Sequence, residues 1–284
     1  MTPVLQAVAF TKMTGCGNDF IIIDNRRARL SAFEPAALAR CLCRRRLSVG
    51  ADGLILIETD PEVDFRWRFF NCDGSEAEMC GNGIRCFARY AYEKGILRKE
   101  RMNVETLAGT LVPELTIKEG IVNLVKVDMG TPKVEFLNRE IEVGGNKYTI
   151  SSVSMGNPHA VLSCTDVNSV DVIKTGREIR NHTTIFPRGT NVHFVEKTGR
   201  NEFKIRTYER GVEDETLACG TGICASAVAS ALSNKVANKF GEILFHAKGG
   251  DINILLEFKE REVIKVYLLG GADYVFEGEI DVKI

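Results

Sequence analysis

The sequence predicts a mixed α/β protein with a largely antiparallel sheet, folded as two homologous halves. Three observations lead there. A Cys-Gly-x-Gly motif occurs twice, in Met79-Cys80-Gly81-Asn82-Gly83-Ile84 and in Ala218-Cys219-Gly220-Thr221-Gly222-Ile223, 139 residues apart. Gly17-Asn18 and Gly156-Asn157 share that offset, as do Gly50 and Gly189, and Leu54-Ile55-Leu56 lands near His193-Phe194-Val195. Separate landmarks in one register mark a repeated unit. Each motif also has the same surroundings: a strand, a polar turn-rich segment, Cys-Gly-x-Gly, then a helix.

The elements follow in order. A helix is expected near 35–46, after Pro35, and a turn at Asp52-Gly53 before the strand at Leu54. Alternating or β-branched and aromatic residues predict strands at 65–70 and 203–208. Helices follow each motif, at about 84–94 and 223–233. The second is rich in Ala and Ser, which let strands approach closely, so it should be central and buried. A helix near 169–180 matches the one near 35–46. Strands are expected at 121–127, 252–258 and 263–269.

With 284 residues, 44% of them hydrophobic, the chain can bury a large core. Its net charge of −1 gives no sign of a nucleic-acid partner. The densest basic cluster, Arg44, Arg45 and Arg46, reads as a solvated helix end complementing the dipole. The N-terminal region carries no basic segment ahead of an apolar run, and no stretch approaches the ~18 apolar residues of a membrane span. A soluble cytoplasmic protein is expected. Nine cysteines is an odd count without C-x-x-C pairs, which favours neither a disulfide framework nor structural zinc. Most read as small buried hydrophobes, Cys86 and Cys224 among them.

Cysteine ahead of Gly-x-Gly at a helix start has a chemical reading. The unpaired N–H groups of a first turn favour anions, and glycines let a ligand come close. A substrate carboxylate could sit there, and a thiolate would be stabilised, its pKa lowered. Two such thiols suit inversion at a carbon acid: a base takes the proton from one face while an acid delivers one to the other, and the reverse direction exchanges the roles. The helix starts would stabilise the developing charge.

The run Asn71-Cys72-Asp73-Gly74-Ser75-Glu76-Ala77-Glu78-Met79-Cys80-Gly81-Asn82-Gly83-Ile84-Arg85-Cys86 closely resembles the first signature of the diaminopimelate epimerase family. Glu209-Arg210-Gly211-Val212-Glu213-Asp214-Glu215-Thr216-Leu217-Ala218-Cys219-Gly220-Thr221-Gly222 resembles the second. Gly15-Cys16-Gly17-Asn18-Asp19-Phe20, Met155-Gly156-Asn157-Pro158-His159 and Gly189-Thr190-Asn191-Val192 match too, so the resemblance spans nearly the whole chain. It implies an epimerase working without pyridoxal phosphate or metal, interconverting LL- and meso-diaminopimelate for lysine and peptidoglycan precursors, and makes a homodimer plausible. It implies two pseudo-symmetric domains, each a sheet wrapped around a central helix: 1–127, with a last strand at 273–284 crossing back, and 128–272, the site lying in the cleft between them. Carried over residue by residue, Cys80 and Cys219 match the acid/base pair, and His159 and Glu209 the groups that polarise and orient it. Gly81-Asn82 and Gly220-Thr221 match the helix starts that hold the reacting carboxylate. Asn18, Asn71, Asn157, Asn191 and Arg210 match the substrate-recognition groups. One departure is visible: Gly53 stands where some members carry glutamine. His182, His193 and His246 read as ordinary histidines. A proline- or hydroxyproline-type racemase fits less well, because Asn82 replaces the histidine usual there, and a phenazine-type isomerase lacks the cysteine pair. A thiol-redox protein using Cys80 and Cys219 stays open, and a nucleotide-binding loop has little support.

Overall fold

The computed structural model describes residues 5–236 and 241–283. Residues 1–4 and 284, at the outer limits of the expected N-terminal half and its returning strand, lie outside the described residues. The chain divides into two compact units, one running to Val127 and taken up again from Gly270, the other Asp128–Leu269.

The first unit contains β1 (Leu5–Gly15), β2 (Asn18–Asp24), α1 (Pro35–Leu42), β3 (Gly53–Glu58), β4 (Phe65–Asn71), β5 (Glu76–Ala77), α2 (Gly81–Glu93), β6 (Val104–Thr106), β7 (Gly109–Leu111), and the hairpin of β8 (Glu114–Lys118) and β9 (Ile121–Asp128). The second contains β10 (Lys133–Val143), β11 (Asn146–Ser154), β12 (Pro158–Cys164), α3 (Val172–Arg180), β13 (Asn191–Lys197), β14 (Glu202–Glu209), β15 (Asp214–Thr216), α4 (Gly220–Leu232), β16 (Ile243–Ala247), β17 (Gly250–Lys259) and β18 (Glu262–Gly270). The closing strand β19 (Asp273–Lys283) pairs with β1.

Strand order in the first unit is β19-β1-β2-β3-β4-β6-β7, with β5 on β4; in the second it is β10-β11-β12-β13-β14-β16-β17, with β15 on β14 and β18 beyond β17. The parallel pairs also correspond: β2–β3 and β4–β6 in one, β12–β13 and β14–β16 in the other. The remaining neighbours within these orders run antiparallel. The duplication is therefore written into the hydrogen bonding as well as the motifs.

Parallel strands covered on both faces read as unbroken apolar runs. Phe20-Ile21-Ile22-Ile23 in β2 and Leu54-Ile55-Leu56-Ile57 in β3 are such runs, and all eight residues are buried. One face of the sheet, with Ile21, Leu54, Leu56 and Phe70, packs under Leu38, Ala39 and Leu42 of α1. The other face meets α2, where Gly83 lies against Phe20, Ile55 and Trp67. The second unit repeats the three layers: Ala160, Val192, Phe194 and Tyr208 pack with Val172 and Ile179 of α3, and α4 covers the opposite face. Ten of the thirteen residues of α4 are buried, as its small side chains require. Each fully buried Leu, Ile or Phe contributes about 1.5–3 kcal/mol, which places most of the stability in these layers.

The structure corrects the repeat in one respect. The α1-facing residues Leu54, Leu56 and Phe70 correspond to Val192, Phe194 and Tyr208, an offset of 138, whereas Ile21 and Cys80 correspond to Ala160 and Cys219 at 139. The second half is one residue shorter between Gly189 and Asn191, and recovers it before Cys219. A one-residue slip exchanges the faces of a strand. His193 therefore matches Ile55, not Leu54.

Helix limits also move. The first motif helix begins at Gly81 and the second at Gly220, three residues earlier than the apolar pattern implies, because the glycines themselves form the first turn. α1 stops at Leu42, so Arg44, Arg45 and Arg46 lie beyond it. Arg45 is more than a solvated helix end: its guanidinium bridges Asp19 and Asp52, the latter at 2.8 Å.

Gly53 opens β3, and a Cβ there would lie 2.3 Å from the Phe69 ring and 2.7 Å from the Phe70 carbonyl oxygen. Phe69 holds the space a glutamine would need. Gly53→Gln should therefore destabilise the protein by about 1–3 kcal/mol through overpacking, read as a lowered urea midpoint; a variant as stable as the parent would contradict this packing.

Candidate active site

Both motif cysteines are helix N-cap residues with nearly the same extended backbone, φ −139° and ψ 115° for Cys80, φ −125° and ψ 106° for Cys219. Each precedes a thirteen-residue helix starting at the next glycine. The N-cap position aims a side chain at the open N–H groups of the first turn. At Cys80 the N–H groups of Gly83 and Asn82, together with the Arg85 charge, favour the thiolate, but burial outweighs them and pushes the thiol up. The expected lowering is thus corrected for Cys80: desolvation exceeds the helix-start field.

In the first unit, side chains from α2, β2 and the loop before β3 converge beside that helix start. Asn82 donates from Nδ2 to Asn18 Oδ1 at 2.6 Å, and Asn18 donates to Asp52 Oδ2 at 2.9 Å. Fully buried Arg85 donates from Nη1 to Asn82 Oδ1 at 2.8 Å and to the Gly81 carbonyl at 3.1 Å, and from Nε to the Gly271 carbonyl at 3.1 Å. Every amide in this chain is oriented by its neighbour, ending in the charges of Arg85 and Asp52. Asn71 stands apart, at the end of β4, donating to Ser75 Oγ at 2.9 Å.

In the second unit the site residues come from strand ends. His159 and Asn191 are register partners at the starts of parallel β12 and β13. Asn191 Oδ1 accepts the Arg210 backbone N–H at 2.9 Å, and its Nδ2 donates to the Pro158 carbonyl at 3.2 Å. The Arg210 guanidinium donates to the Arg188 carbonyl at 3.0 Å, and Glu209 accepts the Thr216 hydroxyl at 2.7 Å. Cys219 Sγ lies 3.6 Å from the Thr221 hydroxyl.

By its sequence His193 reads as an ordinary histidine. It is fully buried, with Nε2 2.9 Å from His159 Nδ1 and Nδ1 2.9 Å from Thr207 Oγ1. His159 Nε2 lies 2.9 Å from Asn157 Oδ1. A histidine inside an otherwise apolar strand, two residues after Asn191, was the available signal. Among the described residues His159, His193 and Cys219 form the one cluster of donor types close enough to hold a metal ion, with one ring nitrogen of each histidine and Sγ within 4.8 Å of one another. Here the imidazoles use that closeness to bond each other. The sequence assigns no site role to Asp52 or Arg85, although Arg85 lies inside the first matched motif.

The profile described as diaminopimelate epimerase matches residues 10–135 and 151–275, both halves of this geometry. The chain belongs to the diaminopimelate epimerase family. It is 44% identical over 282 residues to the diaminopimelate epimerase of Pelotomaculum thermopropionicum, covering 95% of this chain and 98% of that one. It is 43% identical over 285 residues to that of Methanocella arvoryzae, covering 98% of each. Among solved structures it is similar to a phenazine biosynthesis protein of the PhzF family from Bacillus anthracis, with TM-score 0.74 and 17% identity over 98% of this chain and 100% of that one. A hydroxyproline epimerase from Agrobacterium vitis gives TM-score 0.72 and 13% identity over 98% and 93%. These two share the diaminopimelate epimerase fold and, at such identities, show the fold alone. No helix among the described residues is long and apolar enough to cross a membrane.

Burial lowers both site histidines, His193 to about 3 and His159 well below 6.5, the latter helped by the charge of Arg210. Both are neutral in the folded protein near pH 7, and unfolding returns them to about 6.5. Their contribution to stability is thus complete above that value and is lost as pH falls toward the folded values, by up to about 1.4 kcal/mol per pH unit for each histidine. Urea unfolding should show a lower midpoint at about pH 5.5 than at about pH 7, with a smaller drop in His193→Ile. Equal drops in the two proteins would contradict a buried neutral His193.

Proposed function

We propose that this protein interconverts LL- and meso-2,6-diaminopimelate by two-base proton transfer at Cα, a step supplying lysine and peptidoglycan precursors, with Cys80 and Cys219 as the thiol/thiolate pair. The observation that carries the reading is the matched placement of the two cysteines: the same N-cap backbone, the same helix length and the same glycine spacing, in a member of the diaminopimelate epimerase family. Inversion requires a base on one face of the reacting carbon and an acid on the other.

On this reading one thiolate removes the Cα proton as the other cysteine gives its S–H proton to the opposite face, so each turnover leaves the two sulfurs with exchanged protonation. Developing charge on the reacting carboxylate is met by backbone N–H groups at Gly81-Asn82 and Gly220-Thr221, preorganised at no cost during the reaction. Asn18, Asn71, Asn157 and Asn191 supply donors and acceptors for an ammonium beside a carboxylate. Arg210 suits the distal carboxylate, which its planar guanidinium can hold through two bonds. His159 and Glu209 orient the cysteines. The working form is proposed to be a cytoplasmic homodimer.

Reduced protein incubated with LL-diaminopimelate in D₂O should incorporate deuterium at Cα and form the meso isomer, followed by NMR. Cys80→Ala and Cys219→Ala should each lose roughly 10²–10⁴-fold or more in conversion, the range of a general acid or base. Exchange with proline and none with diaminopimelate would replace the substrate assignment. Exchange with neither would overturn the epimerase reading in favour of thiol redox chemistry.

A further inference from the structure

His159, His193 and Thr207 occupy positions that are apolar in the first half. Phe20 matches His159 at the offset of 139, and Ile55 and Phe69 match His193 and Thr207 at 138. The pairings agree: Ile55 faces Phe69 across β3 and β4, and His193 faces Thr207 across β13 and β14. In the first half Phe20 and Phe69 meet edge to face at 5.9 Å, and Phe20 and Ile55 touch the helix at Gly83. In the second, a Cβ on Gly222 would lie 2.0 Å from His193 Cε1, so α4 is seated directly on that imidazole. The fold is evidently satisfied by Phe, Ile and Phe here. The polar trio of the second half sits under the helix that begins after Cys219 and answers a different need.

We propose that His193, with Thr207 behind it, is a positioning residue that locks His159 in one neutral tautomer and so keeps the catalytic proton on Cys219 or the substrate. This deepens, and rests on, the epimerase reading. The hydrogen bonds run in one direction. Asn157 Oδ1 can only accept, so His159 Nε2 carries the hydrogen. His159 Nδ1 is then a lone pair, filled by the Nε2–H of His193, whose own Nδ1 accepts the Thr207 hydroxyl. All four ring nitrogens in this series are matched with no net charge, which is what a fully buried network requires. A ring nitrogen left open within 4.8 Å of Cys219 would be a competing base, drawing the sulfur's proton into an imidazolium–thiolate pair. With that lone pair occupied, the His159 ring offers the sulfur's proton no acceptor. Burial, which disfavours the cationic form of both rings, acts in the same sense.

The test uses the full chain with ¹⁵N-labelled histidine. Ring ¹⁵N shifts of the parent should report His159 as a single Nε2–H tautomer. His193→Ile, which installs what the first half carries, should leave the protein folded, turn His159 into a tautomer mixture or a titrating ring, and lower kcat roughly 10- to 100-fold with a smaller change in KM. His193→Gln, whose amide N–H can reach His159 Nδ1, should restore the single tautomer and much of kcat. An unchanged His159 tautomer in His193→Ile overturns the proposal, whatever happens to kcat. Should His193→Ile fail to fold, Thr207→Val removes the donor to His193 Nδ1 and faces the same criterion. The spectra need no turnover. A parent with a locked His159 but no exchange of diaminopimelate would therefore refute the epimerase reading and, with it, the part of the proposal that concerns proton delivery, while leaving the tautomer lock standing.

Discussion

The second glycine of each Cys-Gly-x-Gly motif is the contact from which the rest of the architecture follows. Gly83 brings α2 onto the sheet so closely that a Cβ would meet the Trp67 ring at 2.9 Å, and Gly222 brings α4 still closer to His193. A helix that packs on a sheet through a glycine has its first turn pinned at a fixed height above the strands. The cysteine immediately before that turn then has no freedom except its own side-chain rotation. The N–H groups that make the helix start attractive to an anion are aimed by the same contact. Packing and chemistry are set by one missing methyl group in each half.

Duplication supplies a second such turn without inventing a new fold. The two halves share strand order, the same two parallel pairs and equal motif helices, so selection could diverge the buried layer beneath each turn while leaving the framework alone. In the first half that layer is aromatic and aliphatic, and polar order is imposed from the side by Arg85, Asn82, Asn18 and Asp52. In the second it is itself polar, with His159, His193 and Thr207 in series. Hydrogen-bond chains of both kinds fix amide and imidazole orientations that single bonds would leave free.

Much of this was legible in the sequence, and the limits are physical. The motif helices, the two-half organisation and the strand patterns could be read because apolar periodicity and glycine spacing are local properties. Asn18 and Asn82 could be named, but not the bond that joins them, because 64 residues separate them in the chain. The strand partner of His193 is hidden for a sharper reason. The offset shared by Gly50 and Gly189 does not carry into the next strand, where a single missing residue exchanges inside for outside. Arg45 departs from the expected solvated helix end because α1 stops at Leu42, which frees the arginine to reach Asp19 and Asp52.

Chemically identical thiols need not be equivalent, and the reaction proposed here has no reason to demand that they be. The LL and meso isomers present opposite configurations at the reacting carbon and differ in free energy in any chiral site, so each cysteine can be suited to the direction in which it acts as acid. Around Cys80, burial favours the thiol while a fixed guanidinium and two N–H groups oppose it, a balance between large terms that an arriving carboxylate would disturb further. Around Cys219, the nearby imidazoles are held uncharged and their lone pairs occupied, which removes a competing base without adding a charge. The duplicated scaffold gives both cysteines the same backbone geometry, while the residues beneath the two helix starts differ.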